Sequence, residues 1–172
     1  YAEADPTDDV QGRDAVYKLA ILATLAFHTR VRPEDIYREG ITNLDPQDFR
    51  YAYELGYAIK SLAIATLDNG NIQARVHPAL VPLGHMLAKV DGAYNAVEVD
   101  GSLSGKVLFH GMGAGQQPTT SAVVGDLIEI VRKLGSERRP VPAAQLDSPW
   151  NMKSIDDLKS KYYLRLNLTD QP

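Results

Sequence analysis

The order of the hydrophobic periodicities along the chain constrains its fold more than any other feature. Two helical patterns come first, at about residues 14–31 and 46–55. Two predicted hairpins follow, the first from alternating residues at 57–67 and 72–78 and the second from those at 95–99 and 106–110. A last predicted helix reaches about residue 134. This order lacks the strand–helix alternation of a parallel doubly wound sheet. We therefore expect an α+β fold, with helices packed on one face of a largely antiparallel or mixed sheet.

Local signals support most of these elements. The first helix is apolar on nearly all sides, so we expect it to be buried. Asp45, followed by a proline, predicts the N-terminus of the second helix, and Gly56 predicts its end. The turn at 68–71 contains residues that tolerate positive φ and predicts a hairpin. Thr119 or Thr120 is the expected cap of the last helix.

Composition excludes several classes of protein. The formal net charge of −4 argues against a nucleic-acid binder, which would carry a basic face. The absence of cysteine excludes disulfides and thiolate metal sites, and the four histidines show no ligand spacing, so we expect no metal. No apolar run approaches the roughly 20 residues of a membrane span. These features predict a cytoplasmic protein without a membrane or nucleic-acid partner.

Both ends of the sequence suggest a piece of something larger. The chain begins at Tyr1 without a methionine, and it ends soon after a strand-like alternation at 162–168. Residues 135–160 are polar and contain prolines, which is typical of a linker, and Trp150 is its expected anchor. We expect one domain over 1–134, the linker over 135–160, and a first strand of another domain over 161–172.

Asp14 and Lys18 are the first candidates for chemistry. They are four residues apart and therefore share one face of the predicted helix, where an exposed start becomes a buried stripe. Partial burial lowers the pKa of a lysine, and a neighbouring carboxylate raises it, so such a lysine can hold and deliver a proton. The alternative is a surface ion pair worth about 0.3–0.5 kcal/mol.

Two further patterns are weaker. An acidic run before the first helix could receive an amino group or a cation, or could simply be a solvated, capping loop; it contains Glu3, Asp5, Asp8 and Asp9. The glycine-rich segment 111–115 follows a strand and precedes a helix, where backbone can approach a ligand closely. It is not the dinucleotide fingerprint, because the third glycine comes too early and no βαβ unit follows. A tight strand-to-helix turn explains it equally well.

Taken together, these segments resemble homoserine dehydrogenases. The longest similar block is Tyr1-Ala-Glu-Ala-Asp-Pro-x-x-Asp-Val-x-Gly-x-Asp14-x-x-x-Lys18-Leu-x-Ile-Leu. Shorter similar blocks follow in the family's order: Gly40-Ile-Thr, Val76-His-Pro-x-Leu, Asn95-Ala-Val and Gly113-Ala-Gly-x-x-Pro-Thr-x-Ser-Ala-Val-Val-x-Asp126-Leu. The resemblance covers about residues 1–134, and 161–172 resemble the first strand of an ACT regulatory domain.

The resemblance implies an enzyme that interconverts L-homoserine and L-aspartate 4-semialdehyde with NADP or NAD, in threonine, methionine and isoleucine biosynthesis. Lys18 matches the family's proton donor and acceptor. The residues implied to bind substrate are Glu3, Asp14, Asp9 and Tyr1, and those implied to lie against the cofactor are Gly115, Gly113 and Ala114. Hydride transfer to an aldehyde leaves an alkoxide, which a lysine can stabilise and protonate. A substrate ammonium group can pair with carboxylates.

The resemblance also implies what this chain lacks. A nucleotide-binding domain, which would hold most of the cofactor, has no counterpart in the sequence, so we expect the chain alone not to turn over. The family's catalytic half also carries the dimer contact, so a homodimer is expected. Two alternatives stay open: a non-catalytic binding or dimerisation module with the same fold, and an oxidoreductase for another amino-acid semialdehyde.

Overall fold

The structure is a computed structural model that describes residues 6–135, 146–166 and 168. The chain divides into two compact units. The larger unit holds the described residues up to 82 and from 146 onward, and the smaller one holds 83–135. None of the described helices is both long and apolar enough to cross a membrane.

The larger unit is built on a mixed sheet. Its helices are α1 (Thr7–Val10), α2 (Arg13–Phe27) and α3 (Pro46–Glu54), and its strands are β1 (Tyr37–Arg38), β2 (Tyr57–Asp68), β3 (Asn71–Pro82) and, later in the chain, β6 (Asn151–Met152). β2 pairs antiparallel with the whole of β3, whereas β1 and β6 pair parallel with it along its other edge. Asn69 and Gly70 both have positive φ at the hairpin turn, as predicted. The α+β class with a mixed sheet is confirmed.

The core of this unit lies between α2 and the sheet. One stripe of the helix is buried against β3, whose Ile72 and Val76 are fully enclosed. The stripe consists of Val16, Leu19, Ala20 and Ala23. Burial of all sides of the helix was expected, and this is wrong: Ile21 is 63% and Leu25 55% exposed. The reason is that the larger unit covers only one side of α2.

The ends of the helices are set by backbone conformation. α2 ends at Phe27, earlier than its periodicity predicted, because His28 takes up the left-handed conformation that stops a helix. α3 begins as predicted: Asp45 accepts a hydrogen bond from the Gln47 amide, and Asp48 accepts one from the Asp45 amide at 2.9 Å. Gly56, with φ of 84°, follows its end.

Residues assigned to the linker add to the sheet instead. The two residues of β6 pair with Asn71 and Ile72, and Trp150 and Met152 pack against the core. The anchoring role of Trp150 is thereby confirmed. The described residues near 162–168 form no strand, and the expected first strand of a further domain stays a prediction.

The smaller unit consists of a hairpin and a helix. β4 (Tyr94–Gly101) pairs antiparallel with β5 (Gly105–Met112), and α4 (Gln116–Leu134) follows. The expected cap at Thr119 or Thr120 is wrong, because the helix begins three residues earlier, after Gly115. Gly115 has φ of 128°, which lets the chain turn abruptly from strand to helix. Thr120 lies inside the helix and donates its hydroxyl to the Gln116 carbonyl.

Candidate active site

Asp14 and Lys18 form a direct ion pair on α2. Lys18 Nζ lies 2.7 Å from Asp14 Oδ2, so the helical spacing does bring the two side chains together. The lysine side chain is 63% exposed and the aspartate side chain 47%. The expected partial burial of Lys18 is therefore not found in this chain. The charged pair is presented to the surface, where a substrate can reach it.

The pair lies at one end of an exposed apolar stripe. Ile21, Leu22 and Leu25 follow Lys18 at helical spacing, and all three are exposed. The opposite side of α2 is packed against the sheet, which holds the helix in place. An exposed apolar stripe on such a helix is suited to contact another protein surface. A surface laid over it would also remove water from around Lys18, which strengthens its interactions with nearby charge.

A short helix precedes the pair and carries further carboxylates. Asp8 and Asp9 lie in the first turn of α1, and Arg13 Nη1 is 3.4 Å from Asp8 Oδ1. Gly12, with φ of 72°, joins α1 to α2 and accepts the first helical hydrogen bond from the Val16 amide. Asp14 follows in the first turn of α2, where a negative charge stabilises a helix. Tyr1 and Glu3 lie outside the described residues.

The glycine-rich segment forms the predicted strand-to-helix turn in the smaller unit. The Gly113 amide donates to the Ala93 carbonyl at 3.0 Å, and a Cβ atom at Gly113 would stand 1.3 Å from Asn95 Nδ2. Ala114 is exposed, and Gly115 occupies the N-cap position of α4. Within the described residues, no side chain caps this helix. The turn thus presents bare backbone and helix amides, a setting that favours an anionic group.

Two features were missed by the sequence-based reasoning. Arg38 donates from Nη1 to the Gln11 carbonyl at 2.6 Å, directly before α2. Gly40 lies so close to α1 that a Cβ would be 2.7 Å from the Val10 carbonyl oxygen. The only signal for either was the Gly40-Ile-Thr block. No group of three His, Cys, Asp or Glu side chains that could hold a metal occurs over residues 6–135, 146–166 and 168.

Comparisons with known proteins agree on one family. The sequence model of the homoserine dehydrogenase family matches residues 1–128. A homoserine dehydrogenase of Mycobacterium tuberculosis is 49% identical over an alignment that covers all of this chain and 40% of the relative. A homoserine dehydrogenase of Neisseria gonorrhoeae is 44% identical over an alignment that covers all of this chain and 41% of the relative. The chain therefore spans about two fifths of the length of the curated relatives it matches.

Solved structures point the same way. A homoserine dehydrogenase from Thiobacillus denitrificans superposes with a TM-score of 0.85 at 45% identity, covering 92% of this chain and 38% of that one. A mutant of a hyperthermophilic archaeal homoserine dehydrogenase, solved in complex with NADPH, superposes with a TM-score of 0.58 at 28% identity. The superposition covers 79% of this chain and 38% of that one.

Proposed function

Because the chain belongs to the homoserine dehydrogenase family, we propose that it supplies the substrate-binding and proton-transfer part of an NAD(P)-dependent enzyme. The reaction is the interconversion of L-homoserine and L-aspartate 4-semialdehyde, in the biosynthesis of threonine, methionine and isoleucine. The observation that supports this most directly is the Asp14–Lys18 pair, held at 2.7 Å on the exposed side of α2. The parent polypeptide, a longer protein that includes this chain, is the proposed enzyme.

Lys18 is the proposed proton donor and acceptor. When the aldehyde is reduced, negative charge develops on its oxygen, and the ammonium group of Lys18 stabilises that charge and then gives up a proton. In the reverse direction, neutral Lys18 takes the proton from the hydroxyl of homoserine. Asp14 uses Oδ2 to hold Lys18 in place, which leaves its second oxygen to accept from the substrate.

The substrate's ammonium group is the proposed partner of the carboxylates around the start of α2. Asp14 and Glu3 hold it, Asp9 lies near it, and Tyr1 lines the same site. Charge-assisted hydrogen bonds from an ammonium to carboxylates are about twice as strong as neutral ones, so they can fix the orientation of a small amino acid. The position of Asp9 on a short acidic helix just before Asp14 supports this assignment.

The cofactor is proposed to be NADP or NAD, bound mostly by protein outside this chain. When bound, the nicotinamide supplies or accepts the hydride. The residues of this chain proposed to lie against it are Gly113, Ala114 and Gly115. Their bare backbone and the uncapped amides of α4 fit a ligand that carries phosphates, which supports the assignment.

We further propose a cytoplasmic homodimer. The smaller unit exposes large apolar side chains such as Phe109 and Val131, which supports contact with other protein surfaces. We propose a substrate-binding, catalytic and dimerisation domain over 1–134, to which 151–152 contribute a strand, and a connection over the rest of 135–160. The start of an ACT regulatory domain is proposed for 161–172.

The first test is Lys18→Ala in the parent polypeptide. We expect kcat to fall by about 10²–10⁴-fold, because a positioned acid–base group contributes roughly that much, while homoserine binding is kept. Lys133→Ala is the matched control, since Lys133 also pairs at i,i+4 with a glutamate on an exposed helix face. Steady-state kinetics and calorimetric titration with homoserine measure the two quantities. Unchanged kcat in Lys18→Ala would rule out the proton-transfer role.

A further inference from the structure

Residues 38–41, termed the strap, cross the turn that joins α1 to α2. Arg38 Nη1 donates to the Gln11 carbonyl at 2.6 Å, and the Ile41 amide donates to the Val10 carbonyl at 2.9 Å. Both acceptors lie at the C-terminal end of α1, where the last carbonyls of a helix have no partner within it. The strap therefore caps α1 from outside.

The strap also touches this turn without intervening side chains. A Cβ atom at Gly40 would stand 2.7 Å from the Val10 carbonyl oxygen and 3.0 Å from the Gln11 Cα. One at Gly12 would stand 3.8 Å from the Glu39 carbonyl oxygen of the strap, and the positive φ of Gly12 disfavours a side chain as well. Only glycine allows this distance between two backbones, so the contact is tightly defined.

The strap is itself fixed to the core. Arg38 is paired with Val76 in the parallel β1–β3 ladder, and the Glu39 amide donates to the Val76 carbonyl at 2.8 Å. Val76 is fully enclosed in the core. The strap consequently connects the buried sheet to α1 over a span of four residues.

α1 is short and lies at the surface, with Arg13 of α2 contacting its Asp8. It contains four residues, none of which is buried, and a helix this short is not stable by itself. α2, in contrast, is anchored by the buried stripe that begins at Val16. A change in the strap is thus expected to move α1 and its Asp9, while Lys18 keeps its place on α2.

We propose that Arg38 and Gly40 are positioning residues of the active site. By holding Val10 and Gln11, they set where Asp9 stands relative to Asp14 and Lys18. This inference rests on the proposed function, because it takes Asp9 as part of the substrate site and Lys18 as the proton-transfer residue. The consequence is a separation of two kinetic constants: the strap controls the KM for homoserine, whereas Lys18 controls kcat.

The test uses Arg38→Met and Gly40→Ala in the parent polypeptide. We expect each variant to raise the KM for homoserine by about tenfold, because small misplacements of binding groups have effects of this order or larger. We expect kcat and its pH profile to stay within about twofold of the original, and KM for the cofactor to be unchanged. Arg38→Lys retains a cationic donor and is expected to restore KM to within about threefold.

Two matched controls make the same substitutions at other positions. Arg50→Met removes an exposed arginine from α3, and Gly84→Ala adds a methyl group where no described atom lies within 4 Å. Neither is expected to change KM. If Gly40→Ala does not fold, the result for Arg38→Met is sufficient for the test. The Arg38 side chain is exposed and reaches the turn from the surface, so its replacement leaves the core unchanged. An unchanged KM in Arg38→Met, or a fall in kcat without a rise in KM, would overturn the inference.

Lys18→Ala in the same assay separates the two proposals. If it abolishes turnover while the strap variants behave like the controls, the strap inference fails and the proposed function stands. If Lys18→Ala leaves kcat unchanged, the proposed function fails first.

Discussion

At Gly113 the chain passes so close to Asn95 that a Cβ would lie 1.3 Å from the amide nitrogen and 2.5 Å from Asn95 Cγ. Asn95 would have to adopt another side-chain rotamer to make room, because its Cγ as well as its amide nitrogen lies too close. The Gly113 amide is also tied to the Ala93 carbonyl at 3.0 Å, which keeps the two segments together. The absence of a side chain at 113 is therefore a requirement of packing as well as of the proposed cofactor contact.

Gly113→Ala is expected to destabilise the protein by about 1–3 kcal/mol, the usual cost of overpacking. Replacing the clashing partner should relieve this cost, so Asn95→Ala is expected to suppress most of the effect when the two are combined. Urea unfolding of the two single variants and the double variant measures the coupling free energy. Strictly additive effects would contradict a direct contact between these residues.

At the level of single residues, the sequence alone predicted some contacts and not others. The Asp14–Lys18 pair was predictable because i,i+4 neighbours on a helix meet whatever the rest of the chain does. The exposure of Lys18 was not, because the composition of a helix does not say how many of its sides the fold covers. The contact of Gly40 with Val10 joins residues 30 apart, and no local pattern marks it.

Among the elements, α3 has an additional role as the anchor of the C-terminal segment. Asp48, at the start of the helix, is buried and accepts from the Tyr163 hydroxyl at 3.1 Å. Arg165 Nε lies 3.3 Å from the same carboxylate, and Arg165 Nη1 lies 3.5 Å from Asp45. Desolvation, with the hydrogen bond to Asp48, raises the pKa of the Tyr163 phenol, so this side chain stays a donor throughout the neutral range.

Arg165→Met is expected to lower the free energy of unfolding by about 1 kcal/mol. This is less than a buried hydrogen bond to a charged group contributes, because the pair is partly exposed. Asp48→Asn should cost more, since it also weakens the start of α3. A double-mutant cycle between the two positions is expected to give a coupling of about 1 kcal/mol in urea unfolding. Tyr162→Phe, on the neighbouring and largely exposed tyrosine, serves as the control. A coupling near zero would mean that the ion pair does not hold the segment.

Elements with strong local signals were predicted well, and elements that depend on distant partners were not. The two hairpins and α3 follow from turn and capping residues that are adjacent in sequence. β6 has only two residues and pairs with a strand 80 positions earlier, so its formation depends on tertiary contacts. The alternating pattern after 161 predicts a strand that also depends on a partner outside its own sequence, and it stays a prediction.

For the molecule as a whole, the main prediction concerns the isolated chain. Residues 1–172 are expected to fold, since α2 and the sheet enclose a core, but to show no oxidation of homoserine with NADP. The reason is that most of the cofactor's binding groups are proposed to lie outside this chain. Circular dichroism checks folding, and a spectrophotometric assay that follows the appearance of reduced nicotinamide checks turnover. A normal turnover rate would show that the chain contains the whole enzyme.

The late return of β6 to the sheet has a consequence for synthesis. Asn151 pairs with Asn71, so 80 residues must be made after Asn71 before this edge of the sheet can be completed. At roughly 5–20 residues per second, this takes about 4–16 s. During that interval the nascent chain carries a half-open hydrophobic edge that Trp150 and Met152 will later cover. Newly made protein thus exposes this edge on the ribosome, and codons that slow translation between positions 83 and 147 would lengthen the exposure.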